Sequence, residues 1–325
     1  MSNRFLIRYT IFGLLLLVSG AVIFYYALPD NSYHPMARDN TAWEVPDITA
    51  LPSSPESELI NYGKELIVNT AHYLGPRGCV GKMSNGMNCQ NCHLEAGTRL
   101  NGNCFALVAG SYPKFKQRSG RLESIEFRVN DCMERSLNGK KLDSGSKEMR
   151  AMVAYLKWLG KGVPVKNELK GMGIPLLPYL SRAASPDNGK SAYNNKCLRC
   201  HGMNGEGVIK PDSTGWVYPP LWGTESYNVS AGLYLISKLA GYIKYNMPFT
   251  EYAQEAQVSD DEAWDIAAYI CSRPRPEKFF ANDWPVKATK PVDFPYPPYS
   301  DSFTMSQHKY GPFGIIKKAK EKAIK

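Results

Sequence analysis

Cys89, Cys92 and His93 form a Cys-x-x-Cys-His run, and Cys197, Cys200 and His201 form a second. Two thiols at that spacing lie one short turn apart. They can reach the two vinyl groups of one porphyrin, and the imidazole that follows can then bind the iron from beneath. Cys-x-x-Cys pairs also hold zinc or exchange disulfides. A histidine directly after both pairs points instead to two covalently bound haem c groups, with His93 and His201 as proximal iron ligands.

The sixth position on each iron sets its potential and reactivity. In the second half of the chain the candidate is Met247, within Tyr245-Asn246-Met247-Pro248 and 21 residues before Ala268. A thioether there raises the potential and suits plain electron transfer. In the first half the corresponding place falls on Cys132-Met133. Met133 lies 21 residues before Ala154 and Cys132 lies 22 before it, so spacing leaves both open. Met133 would make an ordinary electron carrier. A Cys132 thiolate would lower the potential and put a nucleophilic sulfur at the iron.

The elements that must hold these residues occur twice. Each copy starts on a Gly-Lys pair (Gly63-Lys64, Gly189-Lys190), reaches a haem motif and ends in an amphipathic stretch with an Ala-Tyr pair. The closing helices are predicted from about Glu148 to Leu159 and from about Asp260 to Cys271, on helical spacing of Met152, Tyr155, Leu159 and of Trp264, Ala267, Ile270. Ser146 and Ser259 stand where N-caps are expected, with acidic residues in the turns that follow. This is an all-α layout of two cytochrome c-like haem domains in tandem. The expected division is 1–30 membrane anchor, 31–56 linker, 57–165 first haem domain, 166–185 linker, 186–275 second haem domain and 276–325 C-terminal arm. The prolines and aromatics between Trp284 and Tyr299 predict that the arm is extended, with a basic tail.

The stretch from Arg128 through Asn130-Asp131-Cys132 to Ser136 and Gly139 resembles the thiosulfate dehydrogenase / tetrathionate reductase family of dihaem cytochromes. So does Cys89-Gln90-Asn91-Cys92-His93-Leu94-Glu95-Ala96-Gly97. The resemblance covers about residues 57–290. It implies that Cys132 is the distal ligand of the active-site haem and that Arg118, Arg128 and Ser136 line the substrate site. The implied reaction joins two thiosulfates into tetrathionate with release of two electrons, or runs in reverse. Thiosulfate and tetrathionate are dianions, and arginine forks suit such oxyanions. Arg121 and Arg135 add two further cations near Cys132. Some family members carry a lysine beside the haem 2 methionine; Asn246 stands there in this chain, and Lys244 is set further back. Stable His201/Met247 ligation is therefore expected.

The formal net charge is +9 over 325 residues. Five lysines and one glutamate in residues 317–325 supply a large share of it. No basic helix interleaved with aromatics is present, which argues against nucleic acid as a partner. Arg4 and Arg8 precede an apolar run from Ile11 to about Leu28, long enough to cross a bilayer with the arginine end inside. A cleaved signal peptide is the competing reading. Either way the bulk of the chain is expected in the periplasm, anchored by the N-terminal helix if that helix is retained. Export also permits a disulfide between Cys79 and Cys104, while Cys271, ending a helix, is expected as a buried thiol.

Electrons from such a site must leave through a redox partner, a cytochrome or a quinol-linked carrier. Two other functions share most of these features. A membrane-anchored dihaem electron-transfer subunit needs both haem motifs and Met247, yet has no use for Cys132 or the arginines. A sulfur-oxidation cytochrome that passes sulfur to a carrier protein would keep the cysteine-ligated haem.

Overall fold

The computed structural model describes residues 43–163, 171–249 and 257–323. Helix α1 (Pro55–Val68) begins at Ser54, whose side chain accepts from the Ser57 N–H. Pro55 occupies the first turn, where no amide donor is needed, and Glu56 and Glu58 sit at the positive end of the helix. Helix α2 (Thr70–Leu74) follows at once. The later helices are α3 (Ile125–Arg135), α4 (Lys147–Leu159), α5 (Pro186–Lys196), α6 (Ile236–Asn246) and α7 (Asp260–Ser272). Ser185-Pro186-Asp187 opens α5 as Ser54-Pro55-Glu56 opens α1, so the internal repeat extends to the caps. Ser146 and Ser259 cap α4 and α7 as expected, the latter in a full capping box with Glu262.

The two Gly-Lys pairs mark helix crossings. α1 packs across α4, and α5 across α7. A Cβ on Gly63 would lie 2.0 Å from the Ala151 carbonyl oxygen, and one on Gly189 would lie 1.8 Å from that of Asp265. Only glycine admits backbones this close. Each crossing closes a core. The first gathers Leu66, Met133, Met149, Met152, Tyr155 and Leu156; the second gathers Tyr193, Ile236, Trp264, Ile266 and Ile270.

Two features depart from a purely helical chain with an extended arm. Lys114–Lys116 (β1) and Arg121–Glu123 (β2) pair as a small antiparallel ribbon, and Val208–Ile209 (β3) pairs with Trp216–Tyr218 (β4). The fold is therefore mostly helical, with two short ribbons. The C-terminal arm is not extended throughout: Met305–Tyr310 (α8) and Phe313–Ala323 (α9) are helices. Phe313 and Ile316, one turn apart, are buried in the second core, and Lys317 and Lys318 beyond them are good helix formers that remain exposed. The anchor expected within residues 1–30 lies outside the described residues. Among the described residues no helix is long and apolar enough to cross a membrane.

Candidate active site and haem-binding residues

The first haem motif is bolted to the α1–α2 junction. The Thr70 hydroxyl accepts from the Cys89 N–H at 3.0 Å, and the Asn88 side-chain oxygen accepts from the Ala71 N–H at 2.8 Å. His93 Nδ1 lies 2.7 Å from the Asn103 carbonyl. A carbonyl can only accept, so Nδ1 carries the proton and Nε2 presents its lone pair, as an iron ligand requires. Phe105 stacks on the His93 ring at 4.2 Å. Gly97 allows this stacking: its φ is +83°, and a Cβ there would lie 1.9 Å from the Phe105 ring. His201 is oriented in the same way, with Nδ1 donating to the Pro219 carbonyl at 2.9 Å.

The chemistry of both donor sets fits covalently attached haem. Burial pushes His93 down to about 4 and lowers His201, so both imidazoles are neutral near pH 7. Burial pushes the Cys89 and Cys197 thiols up to about 11 and that of Cys92 to about 12. Such apolar surroundings disfavour thiolates and suit uncharged thioethers.

Helix α3 faces the first motif. Its N-cap Ser124 accepts from the Phe127 N–H. Arg128, Cys132 and Ser136 recur at intervals of four residues and so share one face. Two cavities meet along that face. The inner one, about 350 Å³, is lined by Cys89, Cys92, His93, Phe105 and Cys132 among others, a volume within the range of small-molecule sites. The outer one, about 400 Å³, is bounded by Arg118, Gly232, Lys238 and Trp284. His93, Arg128, Cys132 and Ser136 line both. Met133 touches the inner cavity alone and is 1% exposed within the first core.

Asp131 organises the arginines. Its carboxylate lies 2.6 Å from Arg128 and 3.9 Å from Arg118, and it also pairs with Arg135. Burial opposes its ionisation, and Arg128, Arg135 and Arg118 together overcome this, holding Asp131 below the ordinary carboxylate range. Arg135 is committed elsewhere too: its guanidinium forks onto Asp283 at 2.7 and 2.8 Å and lies over the Phe280 ring. It braces α3 against the C-terminal arm. Arg121 sits over the Phe127 ring and is absent from the cavity walls described here. Of the four arginines near Cys132, therefore, Arg118 and Arg128 reach the outer cleft. Burial and the neighbouring Arg128 lower Lys116, and burial followed by Arg135 lowers Arg118. Burial raises the Cys132 thiol, with Arg128 acting against it. The outer cleft thus holds four cations (Lys116, Arg118, Arg128, Lys238) against two carboxylates (Glu123, Asp131).

The β1–β2 ribbon carries Arg118 in its turn, where Arg118 donates to the Ser230 carbonyl at 3.3 Å and its own carbonyl accepts from the Trp284 N–H at 2.6 Å. Met247 ends α6 and packs against the second core. Lys244 is occupied: its ammonium donates to the Val258 carbonyl at 2.7 Å and pairs with Asp260 at 3.2 Å. Asn246 is buried and donates to the Asn101 carbonyl at 3.0 Å. Cys271 is buried, as expected, and no disulfide joins Cys79 to Cys104.

Lys116, Lys238, Trp284 and Asp283 were not legible as site residues. Lys238 and Trp284 come from the second helical unit and the arm, far from Cys132 in sequence. The one available signal is that Lys238 interrupts an otherwise buried run from Ile236 to Ile243.

The SoxA/TsdA cytochrome c domain family matches residues 81–165, and the cytochrome c family matches residues 186–274. The thiosulfate dehydrogenase of Allochromatium vinosum is 37% identical over 239 residues, which is 72% of this chain and 85% of the relative. That of Stutzerimonas stutzeri is 34% identical, covering 72% of this chain and 73% of its own length. Among solved structures, thiosulfate dehydrogenase (TsdBA) from Marichromatium purpuratum superposes with a TM-score of 0.68 at 29% identity, over 75% of this chain. This chain spans about half of that solved chain, 52% of its length. Two tandem cytochrome c domains, with two covalently bound haem c groups, follow from these matches.

Proposed function

This chain belongs to the thiosulfate dehydrogenase family of c-type cytochromes, and we propose that it interconverts thiosulfate and tetrathionate at the cleft beside Cys132. The observation that carries the reading is the position of Cys132, at the junction of a cavity faced by the first haem motif and a cleft with an excess of cations. A plain electron carrier has no need of either.

In the oxidising direction Arg118 and Arg128 bind the sulfonate oxygens of thiosulfate, and the Ser136 hydroxyl donates to a further oxygen. Their charges offset the repulsion between two dianions. The Cys132 thiolate bonds to the sulfane sulfur of the first thiosulfate, and two electrons depart as Cys–S–S–SO3⁻ forms. The sulfane sulfur of a second thiosulfate attacks the sulfane sulfur of that adduct, the bond to the Cys132 sulfur breaks, and tetrathionate leaves as the thiolate is regenerated. When bound, the haems supply the acceptors for the two electrons. His93 and Cys132 would hold the iron of the haem on the substrate side, and His201 and Met247 that of the haem on the exit side. Cys89, Cys92, Cys197 and Cys200 would form the thioethers.

Electrons continue to a redox partner, a cytochrome or a quinol-linked carrier, in the periplasm, where the segment 1–30 serves as the anchor. The decisive experiment pairs two assays on the purified holoprotein: thiosulfate oxidation with ferricyanide, and tetrathionate reduction with a reduced viologen. Turnover in either direction supports the enzyme reading. Absence of both leaves an electron carrier.

A further inference from the structure

Helix α6 belongs to the second helical unit and ends at Met247, yet its first turn reaches the other haem's substrate cleft. Lys238 lines the outer cavity together with Gly232, Leu233 and Leu235 from the loop that leads into α6. That loop is fixed to α3. The Asn228 N–H donates to the Arg135 carbonyl at 3.1 Å, and the Asn228 amide donates to the Glu134 carbonyl and the Asn138 side chain, both at 2.9 Å. Arg118 holds Ser230 two residues further on. The position of Lys238 relative to Cys132 is therefore set by hydrogen bonds on both sides of the cleft.

Its placement is otherwise unfavourable. A cation in the first turn of a helix opposes the helix dipole. Lys244 in the last turn, by contrast, has the sign the dipole favours and has Asp260 as a partner. Among the described residues no carboxylate pairs with Lys238. Leu233, Leu235 and Ile174 beside it are apolar, which strengthens its attraction to any anion that enters. Arg118 and Arg128 already share the Asp131 carboxylate. Lys238 brings a charge that is not shared.

We propose that Lys238 is a substrate-binding residue supplied by the second haem domain, holding the sulfonate of the second thiosulfate, or the far sulfonate of tetrathionate, across the cleft from Arg118 and Arg128. This rests on the thiosulfate–tetrathionate reading above. It assigns the two ends of a doubly charged, elongated anion to two different domains. A single thiosulfate at the Arg118–Arg128 end would leave Lys238 unused, so the residue discriminates for the pair of anions that reacts.

The test uses the holoprotein and the variants Lys238→Gln and Lys238→Arg, with exposed Lys190→Gln as a charge-loss control. Two measurements are made: thiosulfate oxidation kinetics, and calorimetric titration of the oxidised protein with tetrathionate, which cannot turn over without a reductant. Lys238→Gln should raise the thiosulfate KM and the tetrathionate Kd about ten-fold, the loss expected for one charged contact, with both haem spectra intact. Lys238→Arg should stay within about three-fold, and Lys190→Gln should match wild type. KM and Kd unchanged in Lys238→Gln would overturn the assignment. So would a fall in kcat alone, which would mean that the lysine acts on the fold of the cleft. Wild-type protein that neither binds tetrathionate nor oxidises thiosulfate would overturn this inference and the family activity together.

Discussion

The phenol of Tyr242 donates a 3.0 Å hydrogen bond to the backbone carbonyl of Asn91. Asn91 stands between the two cysteines of the first haem motif, and Tyr242 lies on α6, five residues before Met247. Burial keeps this phenol protonated, with its pKa well above the ordinary value, so it remains a donor at every physiological pH. A single helix thus touches the attachment loop of one haem and ends on the axial methionine proposed for the other.

Tyr242→Phe removes that donor and leaves the ring in place. The expected cost is about 1 kcal/mol of stability, read as a lower denaturant midpoint with unchanged slope. Electron transfer between the two haems after flash reduction should also slow, because the through-bond route from Asn91 is cut. An unaltered midpoint and an unaltered rate would show that this contact couples nothing.

Cys132→Gly should abolish turnover in both directions while mass spectrometry still finds two haems, since Cys132 is no part of either attachment motif. Met133→Leu, a core swap at a 1% exposed position, should cost under about 1.5 kcal/mol and keep activity. Low-temperature EPR of the oxidised wild type is expected to contain a low-spin thiolate-ligated signal that Cys132→Gly lacks. A wild-type spectrum with His/Met signals alone, one of them lost in Met133→Leu, would reverse the ligand assignment.

Gly63→Ala and Gly189→Ala place a methyl against the carbonyls of Ala151 and Asp265. Forcing apart backbones that meet this closely should cost at least the 1–3 kcal/mol typical of overpacking, roughly. Thermal unfolding followed at the haem absorbance checks it. Replacing half-buried Lys64 or exposed Lys190 by alanine, one position along each helix, should change little; equal losses at both positions would refute the crossing as the cause.

Arg135→Ala removes a buried guanidinium and strips two half-buried carboxylates, Asp131 and Asp283, of a shared partner. Breaking a buried ion pair from one side costs about 3–5 kcal/mol. Asp131 then has Arg128 and Arg118 to itself, so those two arginines are drawn inward and the thiosulfate KM should rise alongside the loss of stability. A destabilised protein with unchanged KM would separate the brace from the binding site.

Much of this arrangement is written locally in the sequence. Ser146 and Ser259 announce their helices because capping depends on residues three positions away. The glycines of the two Gly-Lys pairs recur because the same crossing is built twice. Lys238 and Asp283 could not be found this way, since each acquires meaning from a neighbour more than 100 positions distant in the chain. The two terminal helices were hidden for another reason. The prolines before them and the run of lysines within them read as an extended, solvated tail, and only the pair Phe313 and Ile316 marks a buried face. The β1–β2 ribbon is three residues a side, too short for an alternation pattern to register.

The wall that includes Trp284 has a bearing on how the protein is made. Synthesis runs from the N-terminus, so Cys89, Cys92 and His93 emerge before the arm exists. Cys132 follows soon after, and Arg118 by then has Asp131 but not the Ser230 carbonyl. Only when Asp283 and Trp284 arrive do Arg135 and the Arg118 carbonyl find their partners. A chain cut after Ser272 would keep both attachment motifs, yet Arg135 would lose Asp283, the Arg118 carbonyl would lose the Trp284 N–H, and the second core would lose Phe313 and Ile316. The C-terminal arm is the last part made and the part that completes the wall of the cleft.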